Sequence, residues 1–445
     1  MELKAIPTLN EHFNEIKKGL AEQEVNNIKH FGKVASVVGT IIECSGLQGS
    51  VGELFGIHST TGEMIPAEVV GLKDGKTLLM PFDRVTGMKA GCLVENIGQS
   101  MNISVGSKLL GRVVDTNGKP IDGKGHLQTT HQQPVHNSPP SPLDRAPINE
   151  IMHTGIRSLD ALNTIGIGQR VGLFAGSGVG KSVLLGMIAK HSSADVNVIG
   201  LIGERGREVQ EFVHDTLGEE GLAKSVVVTA TSDTAAMSRV KGAFTATAIA
   251  EYFRDKGKNV LLMMDSVTRV AMAQREIGLA SGEPPTTKGY TPSVFTILPK
   301  LLERPGKTER GSITGLYTVL VDNDDMNEPI ADAVRSILDG HIVLSRRLAH
   351  KNHYPAIDVL ESISRVMPKI VNDEQRNIAM KAREILATYR EAEDLINIGA
   401  YVKGSNPKID DAIKKYPSLE SFLIQDLNES DFDQNLWETL KKIIN

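Results

Sequence analysis

A glycine-rich run in the first half of the chain ends in Lys181 and Ser182. It follows the apolar run VGLFA and opens a helix-forming run, KSVLLGMIAKHS. Glycines let backbone N–H groups curl around a polyphosphate, and a helix N-terminus adds partial positive charge there. The lysine can reach the β- and γ-phosphates of a nucleotide, and the serine hydroxyl can bind Mg²⁺. The sequence therefore predicts a phosphate-binding loop formed by Ala175, Gly176, Ser177, Gly178, Val179, Gly180, Lys181 and Ser182.

Two carboxylates follow strand-like runs later in the chain. Asp265 closes NVLLMMD, and a carboxylate at the C-terminal end of a strand faces the crevice where open α/β sheets bind ligands. We expect Asp265 to hold Mg²⁺, directly or through water. Glu204, in LIGERGREV, can orient and polarise the water that attacks a γ-phosphate. From the residues alone, a salt bridge between Glu204 and neighbouring Arg205 or Arg207 is the alternative.

The elements that must position these residues can be read from the apolar pattern. Runs such as VGLFA, VNVIGLIG, SVVVTA, NVLLMMD and SITGLYTVLV alternate with helical stretches, and their unbroken apolar character predicts strands buried on both faces of a parallel sheet. We assign this α/β domain to residues 148–372. Residues 373–445 are helix-forming, with EQRNIAMKAREILATYREAEDLI as the strongest stretch, and are predicted to form a C-terminal helical domain.

The N-terminal part of the chain has a different texture. Short β-rich runs separated by glycine-bearing turns, such as Asp74–Gly75, predict a small antiparallel β-barrel or sandwich over residues 25–97. Residues 98–147, which become rich in Pro, Ser and Gln, are predicted to form an extended connector. Residues 1–24 carry an apolar stripe at helical spacing, which predicts either a helix packed on its own domain or a docking helix for a partner. The stripe consists of Leu9, Phe13, Ile16 and Leu20.

Composition narrows the class of protein. The net charge is −5, the pI is about 6.2 and aromatic residues make up 4%, which argues against a grip on long nucleic acid. No apolar run approaches the ~18 residues that span a bilayer, and no signal peptide is visible. Cys44 and Cys92 lie far apart, without a CxxC partner, and are expected to be buried small hydrophobes in a reducing cytoplasm.

Five motifs carry a family resemblance that covers nearly the whole chain. GLFAGSGVGKS, LIGERGREV, LLMMDSVTR, GEPPTTKGYTPSVF, and HYPAID followed by SISRV occur in the order found in the catalytic subunits of rotary ATPases. That family includes the F- and V-type synthase subunits and the type III export ATPases. The resemblance implies a multidomain α/β fold with a small N-terminal β-barrel, a central RecA-like P-loop domain and a C-terminal helical domain. It also implies ATP hydrolysis with Mg²⁺ in a six-membered ring.

The resemblance also implies roles for residues at the phosphate loop. Lys181 and Ser182 match the phosphate and Mg²⁺ positions, Glu204 the catalytic carboxylate, Arg205 the arginine beside it, and Asp265 the aspartate of the second motif. One loop position departs from the pattern, because Ala175 stands where glycine is usual. A methyl group is tolerable there if the backbone φ is negative.

Two further roles rest on the resemblance. Tyr354 in HYPAID matches the tyrosine that packs on adenine, and the alternative from the residues alone is a core aromatic. Arg365 in SISRV matches the arginine that reaches across a subunit boundary to the γ-phosphate of the neighbouring site. By its chemistry alone Arg365 could be a surface arginine.

The residues of the longer motifs resemble the type III export branch of the family more than the synthase branch. Within that branch, MNEPIAD and YFRDKGKNVLLMMDSVTR resemble the flagellar ATPases more than the injectisome ones. This implies ATP hydrolysis that energises flagellar type III protein export and flagellum assembly, at the cytoplasmic side of the inner membrane. The implied partners are five further copies in a homohexamer, a negative regulator on the N-terminal segment, a central stalk-like component, export-gate membrane proteins, and export substrates with their chaperones. No nucleic acid is expected.

Three alternatives remain open at the level of sequence. The chain could be an injectisome ATPase or a synthase-like rotary subunit. It could be a RecA-like RNA or DNA motor, but the barrel run VASVVGTIIECSGLQGSVGELFGIH is poor in the basic and aromatic residues that such a motor needs. It could be a non-catalytic nucleotide-binding scaffold, although a pure binder has no need of Glu204.

Overall fold

The computed structural model describes residues 30–83, 87–98, 101–129, 131–321, 325–429 and 435–445. The predicted docking helix of residues 1–24 therefore lies outside the described residues. The chain divides into two compact units, Met1–Pro81 with Val85–Gln99 and Phe82–Arg84 with Ser100–Asn445.

The first unit contains a closed, antiparallel β-barrel, as predicted. Its strands are β1 (Phe31–Val38), β2 (Ile41–Ser45), β3 (Leu54–His58), β4 (Met64–Lys73), β5 (Lys76–Pro81) and β6 (Leu93–Gly98), paired in the order β1-β2-β5-β4-β3-β6. The predicted turn at Asp74–Gly75 joins β4 to β5, and both residues have the positive φ of a two-residue hairpin. Alternate residues of β4, from Ile65 to Val69, point into the barrel core.

The second unit is built on a nine-stranded sheet. Its strands are β8 (Arg112–Val114), β12 (Arg170–Ala175), β13 (Val196–Ile202), β14 (Ser225–Ala230), β15 (Asn259–Asp265), β16 (Gly306–Lys307), β17 (Ser312–Leu320), β18 (Gly340–Leu344) and β19 (Ile357–Ser364). The order is β19-β18-β12-β17-β15-β13-β14-β8, with β16 paired to β17. All pairs are parallel except those of β16 and β19. Every residue of β13 and β14 is buried, which confirms the α/β prediction from continuous apolar runs.

Helices cover this sheet and continue beyond it. They are α1 (Arg157–Leu162), α2 (Lys181–His191), α3 (Gly206–Glu211), α4 (Gly218–Ala223), α5 (Ala236–Asp255), α6 (Val267–Ser281), α7 (Pro292–Leu302), α8 (Pro329–Ile337), α9 (Arg346–His350), α10 (Met367–Ile370), α11 (Asp373–Asn397), α12 (Pro407–Leu423) and α13 (Asn435–Ile444). A π-helical turn, Phe212–Leu217, joins α3 to α4, and 3-10 turns lie at Ser107–Leu109, Pro142–Asp144 and Thr287–Gly289. In the described parts of the chain, no helix is both long enough and apolar enough to cross a membrane.

The C-terminal helices α11, α12 and α13 share one hydrophobic core with the sheet unit. The first begins at a capping box, in which the side chains of Asn372 and Gln375 each accept a hydrogen bond from the other's backbone N–H. Ile378 and Ala382 of α11 and Leu419 of α12 are buried in the same cluster as the strands. The predicted helical domain is therefore present and packed directly on the nucleotide-domain elements.

Residues 98–147 contain more regular structure than the predicted extended connector. They supply β8 to the edge of the main sheet and two strands, β7 (Asn102–Val105) and β9 (His131–Pro134), that pair with each other. A buried ion pair holds the residue after β9. Arg304 donates to both carboxylate oxygens of Glu251, at 2.8 and 2.6 Å, and also to Val135 O at 2.7 Å. Bidentate geometry of this kind makes a strong, directional contact. A last short pair, β10 (Ile151–Met152) with β11 (Ile165–Gly166), precedes the phosphate loop.

Candidate nucleotide site

The predicted phosphate loop joins β12 to α2. Gly178 and Gly180 have φ values of +77° and +86°, in the left-handed region that favours glycine. Lys181 is the first residue of α2, and Ser182, beside it, is exposed at the helix N-terminus. Ala175 is the last residue of β12 and is buried in extended backbone, so its methyl group causes no backbone strain.

The lysine of the loop lies between the two predicted carboxylates. Lys181 Nζ is hydrogen-bonded to Asp265 Oδ1 and is 3.6 Å from Glu204 Oε1. The sheet explains this meeting, because β13 pairs with β15 in a parallel register that sets Leu201 opposite Asp265. Glu204 follows the end of β13 and Asp265 ends β15, so both reach the same carboxyl edge of the sheet.

A threonine that the sequence did not single out orients Asp265. Thr318 is fully buried in β17, next to β15, and its Oγ1 donates to Asp265 Oδ1 at 2.7 Å. The same hydroxyl lies 3.2 Å from Met264 O. The order of strands in the sheet decides which residues face Asp265, and no single motif predicts that order. No local signal could have found Thr318.

Glu204 is a partly buried carboxyl, 13% exposed, with a perturbed pKa. Burial raises the pKa of Glu204 to about 7; Lys181 opposes this shift, whereas Asp265 and a hydrogen bond with Glu208 reinforce it. The same hydrogen bond lowers the pKa of Glu208. These opposite shifts place the proton of the hydrogen bond on Glu204, which loses it near neutral pH, as suits a general base. Glu208 was not singled out from sequence, although it stands four residues after Glu204.

The arginines beside Glu204 have other partners. Arg205 lies 3.4 Å from Glu208, and Arg207 lies 2.7 Å from Glu211, all measured between side-chain nitrogen and oxygen atoms. The side chain of Arg205 is 81% exposed, so the structure does not bring it into the loop. Glu204 instead faces Lys181, which differs from the salt-bridge alternative.

Tyr354 lies at the rim of the phosphate loop. A Cβ atom built on Gly180 would be 3.3 Å from Tyr354 Cε1, so the ring lies directly against the loop. The side chain is 39% exposed, unlike a core aromatic. Its ring therefore has an open face beside the phosphate-binding residues, where a base could stack.

Arg365 lies at the opposite edge of the sheet. Strand β19 runs antiparallel to β18, so it starts near the loop, where Ile357 pairs with Leu344, and ends where Ser364 pairs with Gly340. Arg365 N then donates to Asp339 O at 3.1 Å, and Asp339 N donates to Arg170 O at 2.9 Å. Arg170 begins β12, five residues before Ala175, a distance of about 17 Å at ~3.3 Å per residue. An arginine side chain cannot cover that distance, so Arg365 does not join its own chain's loop.

Comparison with known proteins decides the family. A family model described as the ATP synthase alpha/beta family, nucleotide-binding domain, matches residues 155–364, and one for the T3SS EscN ATPase C-terminal domain matches residues 371–442. The flagellum-specific ATP synthase of Bacillus subtilis is 58% identical over 91% of this chain and 93% of its own length. The type 3 secretion system ATPase of Xanthomonas euvesicatoria is 49% identical over 93% of this chain and 94% of its own.

The solved structure of assembled EscN in complex with its central stalk EscO, from enteropathogenic E. coli, agrees. It matches 93% of this chain and all of its own with a TM-score of 0.86 at 46% identity. The chain belongs to the ATP synthase alpha/beta family. Its C-terminal match and its relatives place it among the flagellar and type III secretion ATPases of that family.

Membership of the ATPase family assigns the chemistry of the loop to ATP. The first family match includes Lys181, Glu204, Asp265 and Tyr354, and it ends one residue before Arg365. The enzyme is thus an ATP hydrolase of the type III export class.

Two substitutions separate binding from chemistry. Lys181→Ala removes the charge that faces the phosphates, so we expect loss of tight MgATP binding by calorimetry. Glu204→Gln keeps the shape of the site but cannot accept a proton, so we expect MgATP binding with turnover about 10²–10⁴-fold lower. Lys190→Ala, at the far end of α2, is the matched control and should leave both quantities near wild type. Near-normal affinity in Lys181→Ala would contradict the assignment of the loop.

The pH dependence of hydrolysis tests the hydrogen bond between Glu204 and Glu208. Because the ionised form of Glu204 is the base, kcat/KM should rise with pH through a midpoint near 7. Glu208→Gln removes a charge and a hydrogen bond that raise the Glu204 pKa, so its midpoint should move to lower pH. The γ-phosphate also titrates at about pH 6, so the difference between variants is the decisive quantity. Glu211→Gln, on the same helix, should not shift the midpoint; equal profiles for all three proteins would exclude the coupling.

Proposed function

We propose that the chain hydrolyses MgATP in a homohexameric ring and that this hydrolysis energises flagellar type III protein export and flagellum assembly. The convergence of Lys181, Asp265 and Glu204 at the carboxyl edge of the sheet carries the proposal of hydrolysis. It joins a phosphate-binding cation to a carboxyl whose pKa suits proton transfer near neutral pH. A scaffold that only bound nucleotide would need the first but not the second.

The residues present fit the binding of Mg²⁺ together with a polyphosphate. The candidate ligands are the exposed hydroxyl of Ser182 and the carboxylate of Asp265, both hard oxygen donors. Within the described ranges, no cluster of three or more His, Cys, Asp or Glu could hold a metal unaided. Mg²⁺ is usually held by one or two protein oxygens plus substrate phosphates, as this donor set requires. The ion would supply charge neutralisation for the phosphates.

The chain's own groups divide the remaining work. Backbone N–H groups of the loop and the Lys181 ammonium bind and orient the phosphates. Glu204 orients the attacking water and takes its proton. Burial, reinforced by Asp265 and by the hydrogen bond with Glu208, raises the pKa of Glu204 to about 7, and Arg205 acts on the pair through its contact with Glu208. Tyr354 offers a ring face to the base.

The position of Arg365 supports the proposal that a second copy of the chain completes the site. It lies at the far edge of its own sheet, is exposed, and is held there through its backbone N–H to Asp339. From that edge it can serve only a site outside its own chain. Arginines that reach the γ-phosphate from a neighbouring subunit are worth about 10³–10⁵-fold in rate. A closed ring of identical subunits gives every site one such arginine.

Relatives support the finer parts of the proposal. EscN has been solved as an assembled ATPase in complex with its central stalk, and we extend to this chain both the ring and a stalk-like partner. The flagellum-specific relative in Bacillus subtilis is 58% identical, against 49% for the secretion-system relative in Xanthomonas euvesicatoria, which favours the flagellar system over an injectisome. Restoration of swimming in a strain that lacks its flagellar ATPase would separate the two systems.

Mixing two inactive variants tests the shared site. Arg365→Ala supplies Glu204 to an interface and Glu204→Gln supplies Arg365, so about a quarter of the interfaces in an equal, random mixture are intact. We expect phosphate release to recover toward that fraction. Mixing Glu204→Gln with Lys181→Ala is the control, because both changes affect the same half of the site and no interface regains both groups. An arginine that acts within its own chain predicts no recovery in either mixture.

The remaining partners and the cellular location are proposed from the resemblance. We propose that the enzyme works at the cytoplasmic side of the inner membrane, against export-gate membrane proteins, and receives substrates with their chaperones. A negative regulator is proposed to bind residues 1–24 through Leu9, Phe13, Ile16 and Leu20.

Deletion of residues 1–24 tests the regulator site. We expect a soluble ATPase with unchanged melting temperature that no longer retains the regulator in a pull-down. Replacing only Phe13 and Ile16 by serine is the milder variant and should weaken retention in the same direction. An insoluble deletion product together with full retention by the milder variant would show instead that the stripe packs on its own domain.

A further inference from the structure

A buried glutamine joins three separate segments beside the nucleotide site. Gln425, in the loop after α12, is only 4% exposed. Its Oε1 accepts from Arg157 N at 2.9 Å, and its Nε2 donates to Gly155 O at 2.7 Å and to Glu429 O at 2.6 Å. Its backbone N–H donates to Tyr354 O at 2.9 Å. We call this group of contacts the Gln425 junction.

The segment that receives the glutamine side chain is itself firmly held. The buried carboxylate of Asp160 accepts from Thr154 N at 2.9 Å and from Gly155 N at 3.0 Å. Gly155 has a φ of +77°, and a Cβ atom built on it would lie 2.5 Å from His191 Cβ, so only glycine fits. His191 ends α2, the helix that Lys181 begins. Through Gly155 the junction therefore packs against the end of α2, the helix that begins at the phosphate loop.

The other end of the junction is the backbone of Tyr354. The Gln425 side chain fixes its own backbone against residues 155–157, and that backbone then fixes the Tyr354 carbonyl. The ring of Tyr354 lies against Gly180 of the phosphate loop. Three hydrogen bonds of one amide thus hold the backbone N–H that donates to Tyr354 O, the carbonyl of the residue whose ring lies against the loop.

We propose that Gln425 is a positioning residue for the base of the bound nucleotide, acting through Tyr354. This inference rests on the proposed ATP hydrolysis. Gln425 holds the tyrosine ring at the height over the phosphate loop that lets an adenine stack while the phosphates are bound. The base subsite is therefore built partly by the C-terminal segment, although no side chain of that segment need touch the nucleotide.

A second contact at the same place provides a matched control. Arg157 Nη1 lies 2.7 Å from Glu429 Oε1, and Arg157 Nη2 donates to Ile424 O at 2.6 Å. These contacts also dock the C-terminal segment, but they do not reach Tyr354. Glu429→Gln weakens the docking ion pair and keeps the carbonyl that accepts from Gln425 Nε2.

The test compares a ligand with a base and one without. In Gln425→Ala, and in the similarly sized Gln425→Met, we expect KM for MgATP to rise about tenfold, as for the loss of one stacked base. The inhibition constant of magnesium tripolyphosphate, which has no base, and kcat should each stay within about twofold. Gln425→Ala combined with Tyr354→Ala should be no worse than Tyr354→Ala alone, because the two residues act as one unit. Glu429→Gln should keep the wild-type KM.

Several outcomes would overturn the positioning role. An unchanged KM, an equal loss of tripolyphosphate binding, or additive effects of Gln425→Ala and Tyr354→Ala would each show a purely structural residue. If both Gln425 variants fail to fold, hydrogen exchange of the wild-type enzyme decides: MgADP, but not magnesium tripolyphosphate, should slow exchange in peptides covering residues 424–429. Equal protection by both ligands would reject the role. Absence of wild-type hydrolysis would instead contradict the proposed function.

Discussion

The site depends on one ammonium group that lies beside two carboxyls, the buried Asp265 and the partly buried Glu204. Lys181 lies against Asp265 and within 3.6 Å of Glu204, at an edge where two parallel strands end side by side. Without a cation, two acids in so little water would be costly to ionise. Incoming phosphates compete for the same ammonium, so binding must bring its own positive charge to this acidic edge of the sheet. A magnesium nucleotide meets that requirement, and a free nucleotide does not.

Much of this arrangement could be predicted because it is local in sequence. The phosphate loop is a contiguous motif, the buried strands are unbroken apolar runs, and the Asp74–Gly75 hairpin follows from two residues that tolerate positive φ. The placement of Asp265 at a strand end also followed from its own run. Each of these features needs only neighbours along the chain.

What could not be predicted depends on contacts between distant segments. Thr318 meets Asp265 only because β17 lies beside β15, and β8 joins the sheet although its sequence suggested a connector. Strands β18 and β19 were not among the predicted runs either, yet their antiparallel pairing places Arg365 away from its own loop. Gln425 lies 268 residues after Arg157, its hydrogen-bond partner, and no spacing rule connects them.

Strand β19 has a mechanical consequence. It is eight residues long; Tyr354 lies three residues before its first residue, and Arg365 follows directly after its last. The strand is hydrogen-bonded to β18, with one shift of register along the pair, and a displacement of the tyrosine end on loading of the base could pass along it to the arginine end. Occupancy of one nucleotide pocket would then be communicated to the next pocket around the ring through a single β-strand.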